Sequence, residues 1–179
     1  MDDDLERRWE RVVCRRDRML AQLAQWPAES LRVCPANGGW SALEVVDHLV
    51  RSHREVLRRM QDVRQPHPKV KFPDRLRGWM VWGVMWLPTR VAMPKSVEPQ
   101  VRPASTDDLA TLAEEWKRVD AALHDHVVAL SDAERRAGVA RHPVSGWLDA
   151  RAGIRFIESH LAHHGYQISR LSKIVKTNS

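Results

Sequence analysis

Apolar residues recur along most of the chain at spacings of three and four, the period of an amphipathic helix. Over residues 2–26 the seam is Leu5, Trp9, Val12, Leu20 and Leu23, with charges between, and Pro27 closes it. Residues 27–39 read as a loop. A second helix opens at "GWSALE": Ser41 is placed to cap it, with Glu44 three residues later completing a capping box. Trp40 and Val45 sit at the positions of a hydrophobic staple. Val45, Val46, Leu49, Val56, Leu57 and Met60 carry its apolar face to about Arg64. Three prolines make residues 65–73 a loop, because proline cannot sit inside a helix. Residues 74–87 predict a shorter apolar helix bearing Trp79, Trp82 and Trp86. Four more prolines make residues 88–104 a long irregular crossing. Ser105 or Thr106 then caps a third long helix with its seam on Leu109, Leu112, Trp116, Val119, Leu123 and Leu130. Residues 131–147 read as loop or broken helix. The last helix runs from Leu148 or Asp149 to about Val175, with its seam on Ile154, Ile157, Leu161, Ile168 and Leu171. No segment alternates with the period of a strand. The expectation is one all-α domain over residues 1–179: a four-helix bundle with long crossover connections and a short extra helix.

Composition narrows the class of protein. The net charge of +6 favours acidic partners. The arginines are nevertheless spread through every segment, and in "RRWERVVCRRDR" they alternate with acids, so they read as solvated helix faces. There is no helix-turn-helix signal and no basic stripe interleaved with aromatics, so no specific nucleic-acid partner is expected. "GWMVWGVMWLP" is too short to span a bilayer, and no membrane partner is expected. Cys14 and Cys34 form no CxxC pair, and "MDDDLERRWE" lacks the apolar core of a secretory signal; both suit a reducing cytoplasm. Beside Val13, Cys14 reads as packing. Cys34, before Pro35, reads as an exposed loop residue.

The candidate chemistry lies in "ESHLAHHGYQISRL", residues 158–171. At ~100° per residue, His164 falls within ~30° of the centre of the last helix's apolar seam. His160 and Gln167 lie on the flank of the same face. His163 points away, towards Phe156 and Arg170, and reads as a bystander. Two histidines at i and i+4 can hold one divalent metal. The same pair also reads as a core imidazole bonded to a carbonyl with a rim neighbour. A metal needs a third ligand, and His48, His53, His124 and His126 are the candidates. His53 lies nearer the middle of the second helix's apolar arc, whereas His48 lies on its flank with Glu44 and Ser52. Periodicity leaves that choice open.

Two stretches resemble motifs of the DinB-like superfamily. "GGWSALEVVDHL" resembles its W-S-x-x-E-V-x-x-H-L motif. "RHPVSGWLDARAGIRFIESHLAHHGYQI" resembles its H-P-x-x-G-x-L motif followed by H-x-x-x-H-x-x-Q-I. The resemblance implies a four-helix bundle binding a divalent metal, Zn or Ni, through His48, His160 and His164. His53 and His163 have no counterpart in the motifs. Glu44 matches the motif glutamate and is the one candidate acid–base residue, although the capping box accounts for it equally. Gln167 matches the motif glutamine and would orient a ligand or bridge helices. His142 belongs to the H-P element, which reads as a turn into the last helix.

Three histidines leave open positions on a metal, which suits catalysis more than structure. A bound water or thiol would ionise more readily. Some relatives act on low-molecular-weight thiols such as bacillithiol or mycothiol. The resemblance therefore implies a thiol-dependent S-transferase with a small-molecule substrate, with a metal-dependent hydrolase next. A non-enzymatic metal- or small-molecule-binding helical bundle, as a homodimer or alone, is the competing class. The Trp-rich stretch 79–86 reads as core and lid packing or as the wall of an apolar substrate pocket.

Overall fold

The computed structural model describes residues 3–36, 38–62, 64, 68–89, 91 and 94–177. Residues 65–67 of the first Pro-rich crossing and 90, 92 and 93 of the second lie outside the described residues. Seven helices are present among the described residues: α1 (Asp3–Leu23), α2 (Ala42–Met60), α3 (Phe72–Met85), α4 (Glu98–Val101), α5 (Leu109–Ala129), α6 (Asp132–Arg136) and α7 (Ala150–Thr177). The four long ones, α1, α2, α5 and α7, make an all-α bundle. α2 packs mainly on α5, α1 on α7, and α2 also on α7. Val12, Leu23, Leu49, Trp116, Leu123 and Ile154 lie in the shared core.

Local chemistry sets the helix ends. The expected capping box of α2 is present: Glu44 N donates to Ser41 Oγ at 3.3 Å, and Ser41 N donates to Glu44 Oε2 at 2.8 Å. α2 ends at Met60, one turn short of the expected Arg64. Asp149 starts α7 by accepting from Ala152 N at 2.8 Å. The cap of α5 is Asp108, which accepts from Thr111 N, and not Ser105 or Thr106. The reason lies in α2. Asp47 accepts from the backbone N–H groups of Ala104 and Ser105 at 2.7 and 2.8 Å, and the Ser105 hydroxyl bonds Asp107. The two N–H bonds hold the incoming chain to α2, and the Ser105 hydroxyl is taken up within the loop by Asp107.

Residues 131–147 are neither loop alone nor broken helix. After α6, strands β1 (Ala140–His142) and β2 (Gly146–Leu148) pair antiparallel, with His142 opposite Gly146. Gly146 has φ +82°, a conformation that favours glycine, and a Cβ there would collide with the carboxylate of Asp74 in α3. The hairpin and α3 are thus fitted to each other.

α3 lies on α7 and the hairpin through a narrow edge, Asp74, Gly78 and Trp82. Of its expected tryptophan seam only Trp82 is buried, at 8% exposure, while Trp79 is 65% exposed. Core packing therefore accounts for one of the three indoles. Cys14 is exposed too, because the buried stripe of α1 runs through Val12, Arg16 and Met19.

A charged group is buried between α1, α2 and α5. Arg16 donates to Asp120 Oδ2 at 2.7 Å, and His53 Nδ1 donates to Asp120 Oδ1 at 2.6 Å. The indole nitrogen of Trp116 lies 3.1 Å from the same imidazole nitrogen.

Candidate metal centre

The second helix delivers His48, and the last delivers His160 and His164 one turn apart. All three are buried. Their Nε2 atoms converge: His160 Nε2 lies 3.2 Å from His48 Nε2 and 3.0 Å from His164 Nε2. One ligand atom from each residue lies within 4.8 Å of the others.

The surroundings fix where the protons sit. His48 Nδ1 lies 2.8 Å from the carbonyl oxygen of Val101 in α4. A carbonyl only accepts, so Nδ1 carries the proton and Nε2 the lone pair. Gln167 turns its amide oxygen to His164 Nδ1 at 2.9 Å, which fixes the same tautomer there. Two lone pairs therefore face the Nε2 of His160, whose Nδ1 is buried without a partner. Hydrogen bonding leaves this arrangement poorly satisfied: His160 Nε2 can offer one proton to one of the two lone pairs, and the Ser52 hydroxyl reaches His48 Nε2 only at 3.5 Å. Protonating the rings is no remedy. Burial pushes the His48 pKa down to about 4 and those of His160 and His164 well below the ordinary imidazole value. Neighbouring imidazoles add to the shift at His160 and His164. Neutral, convergent imidazoles, two of them with fixed tautomers, are a donor set suited to a divalent cation.

Aromatic rings enclose the cluster. Trp40 lies 4.8 Å from the His48 ring and stacks on His164 at 6.4 Å, and Phe156 stacks on His160 at 5.4 Å. A cavity of about 580 Å³ opens over the cluster, walled by Met80, Val81, Val84, Val97 and Val101. α3 thus walls an apolar cavity through its methionines and valines, and not through its tryptophans.

The other candidates fall elsewhere. His53 is the more deeply buried of the two α2 histidines, at 1% exposure, but its Nδ1 is turned to Asp120. His124 bonds Glu6 at 3.3 Å on another face of the bundle. Glu44 does not line the cavity, and its carboxylate is engaged in the capping box, with Cys34 Sγ 3.5 Å away. Burial raises the Cys34 pKa, with the Glu44 carboxylate adding to the effect, which is the opposite of an activated thiol. His163 is not remote from the site as its helical angle suggests. It is buried, lines the cavity and meets the His164 ring edge-on at 5.2 Å. The Val101 carbonyl carries no signal in the sequence, and Trp40 shows there as a staple and motif residue, not as a wall of the site.

A family model described as the DinB superfamily matches residues 13–168. The chain belongs to the DinB superfamily. The match takes in all three histidines and Gln167. No curated protein and no solved structure matches the chain. Membership in the DinB superfamily and the three-His cluster together fit a metal-binding protein. No helix among the described residues is long and apolar enough to cross a membrane.

Proposed function

We propose that this member of the DinB superfamily is a divalent-metal-dependent enzyme that joins a low-molecular-weight thiol to an apolar electrophile, with Zn or Ni held by His48, His160 and His164. The observation that carries the reading is the convergence of three Nε2 atoms, two of them with tautomers set by Val101 and Gln167. A divalent cation there would make a thiol or water at its open positions more acidic.

The residues of the chain do the rest. Neutral imidazoles leave the full charge of the ion for that task. Trp40 and Phe156 shield the cluster from bulk water, and the cavity walls hold the electrophile's apolar body. The thiol gives its proton to solvent, a C–S bond forms, and the electrophile's leaving group departs. Glu55 is the carboxylate among the described cavity residues, and Arg58 and Arg59 both bind it, holding its pKa below the usual range. No lining carboxylate is left free as a base for water, which favours thiol over water as nucleophile. Arg59, Arg77 and Arg141 border the cavity and suit a thiol that carries acidic groups.

The test is thioether formation by mass spectrometry, with metal-loaded protein, bacillithiol or mycothiol, and an apolar alkyl halide. The reading expects product above the uncatalysed background, lost in His164→Ala. Metal-loaded protein that accelerates no thiol addition would overturn the transferase assignment and leave the metal site to be judged on its own.

A further inference from the structure

One polar group in the cavity is unused by the metal reading. His142 ends β1, and its ring folds back on its own turn. Val144 N, Ser145 N and Ser145 Oγ lie 3.3, 3.1 and 3.1 Å from its Nδ1. Backbone N–H groups only donate, so Nδ1 is the acceptor, and the proton of the neutral ring sits on Nε2. Burial, with the charge of Arg59, pushes the His142 pKa down to about 4, so the ring is neutral at neutral pH. Among the described residues nothing accepts a hydrogen bond from Nε2, and that atom is not one of the sealed, unpartnered polar atoms of the interior. The ring lines the cavity and packs on Phe156 at 4.6 Å, and Phe156 in turn stacks on His160.

The mounting is rigid. His142 pairs with Gly146 across the hairpin, whose turn depends on the positive φ of that glycine and abuts Asp74. A donor whose tautomer and orientation are both fixed before ligand arrives loses little on binding. The three-His floor offers lone-pair nitrogens, the walls are largely aliphatic, and of the bordering guanidinium groups Arg59 is bound by Glu55 and Arg77 by Asp74. A neutral oxygen acceptor on an apolar ligand would thus find a preset donor at His142.

We infer that His142 is a specificity-determining residue whose Nε2–H recognises a carbonyl-type oxygen on an otherwise apolar substrate, about one aromatic ring's width from the three-His cluster. Only the position of the substrate's reacting end rests on the metal reading; the donor does not.

The test uses tag-free full-length protein treated with chelator, so that metal plays no part. Methyl naphthyl ketone and ethylnaphthalene serve as probes of matched shape that differ in the carbonyl oxygen, and binding is followed by calorimetry. Replacing His142 by Phe keeps a ring against Phe156 and removes the donor. The expected result is a ketone-to-hydrocarbon affinity ratio about fivefold to tenfold lower in His142→Phe than in the wild type. An unchanged ratio, or a wild-type protein that binds neither probe, overturns the inference. Nitrogen NMR of histidine-labelled wild-type protein gives a second decision that needs no variant. The expected spectrum has His142 protonated on Nε2 and bare on Nδ1, and the opposite tautomer overturns the inference. Failure of the metal reading would show in metal analysis and would leave both results standing.

Discussion

The Nε2 atoms of His48 and His160 lie 3.2 Å apart although 112 residues separate them in the chain. Burial keeps both rings neutral, and the Val101 carbonyl turns the bare nitrogen of His48 inward. Together with the Nε2 of His164 these atoms are spaced to share one cation.

Gln167 holds the tautomer of His164. Replacing it with Leu keeps the volume and removes the acceptor. Zn²⁺ affinity, measured by competition with a chromophoric chelator, is expected to fall about 10–100-fold. The helical circular dichroism spectrum should be unchanged. Undiminished affinity would mean that Gln167 only bridges within its own helix.

The metal-free protein should lose stability in mild acid. The folded-state pKa of His48 is depressed to about 4, and on unfolding it returns to about 6.5. Between those values the unfolded chain binds more protons than the folded one, so stability falls as pH drops through that window. It is fully present above the unfolded value. His48 alone contributes about 3 kcal/mol across the window, and His160 and His164 act in the same direction. Urea midpoints at neutral pH and midway through the window measure this. A flat profile would show that the rings are not buried neutral.

Glu44 separates capping from catalysis. Its carboxylate accepts from Ser41 N, a bond that glutamine can also make. Glu44→Gln should therefore keep metal content and any thiol-transfer rate. Glu44→Ala should cost about 1 kcal/mol of stability. A large fall in turnover for Glu44→Gln at unchanged stability would make Glu44 an acid–base residue after all.

Asp120 ties Arg16 and His53 together in the core. Asp120→Ala leaves the buried Arg16 guanidinium with only the exposed Asp17 carboxylate and strips His53 of its acceptor, and should cost about 3 kcal/mol in chemical denaturation. A loss of about 0.5 kcal/mol, as at an ordinary surface site, would mean that water reaches the group.

The long helices were legible because their seams are long and periodic, and the α2 cap because its chemistry is local. The spacing of His160 and His164 was legible for the same reason. What periodicity missed came from contacts distant in sequence. It ranked His53 as the more buried of two histidines, and it is, but its Nδ1 is turned to Asp120 of α5. The motif resemblance, not the period, singled out His48. His163 points off the α7 seam, yet α3 packs over that side and buries it in the cavity wall. The hairpin has strands of three residues, too short to carry a period. The Val101 carbonyl is a backbone group, which no residue pattern announces.

Elemental analysis of protein purified without a histidine tag, beside His164→Ala and His163→Ala, tests the three-His centre most directly. About one equivalent of Zn or Ni per chain is expected, lost in His164→Ala and kept in His163→Ala. A wild-type protein that takes up neither metal when supplied, while all three proteins fold alike, would contradict it.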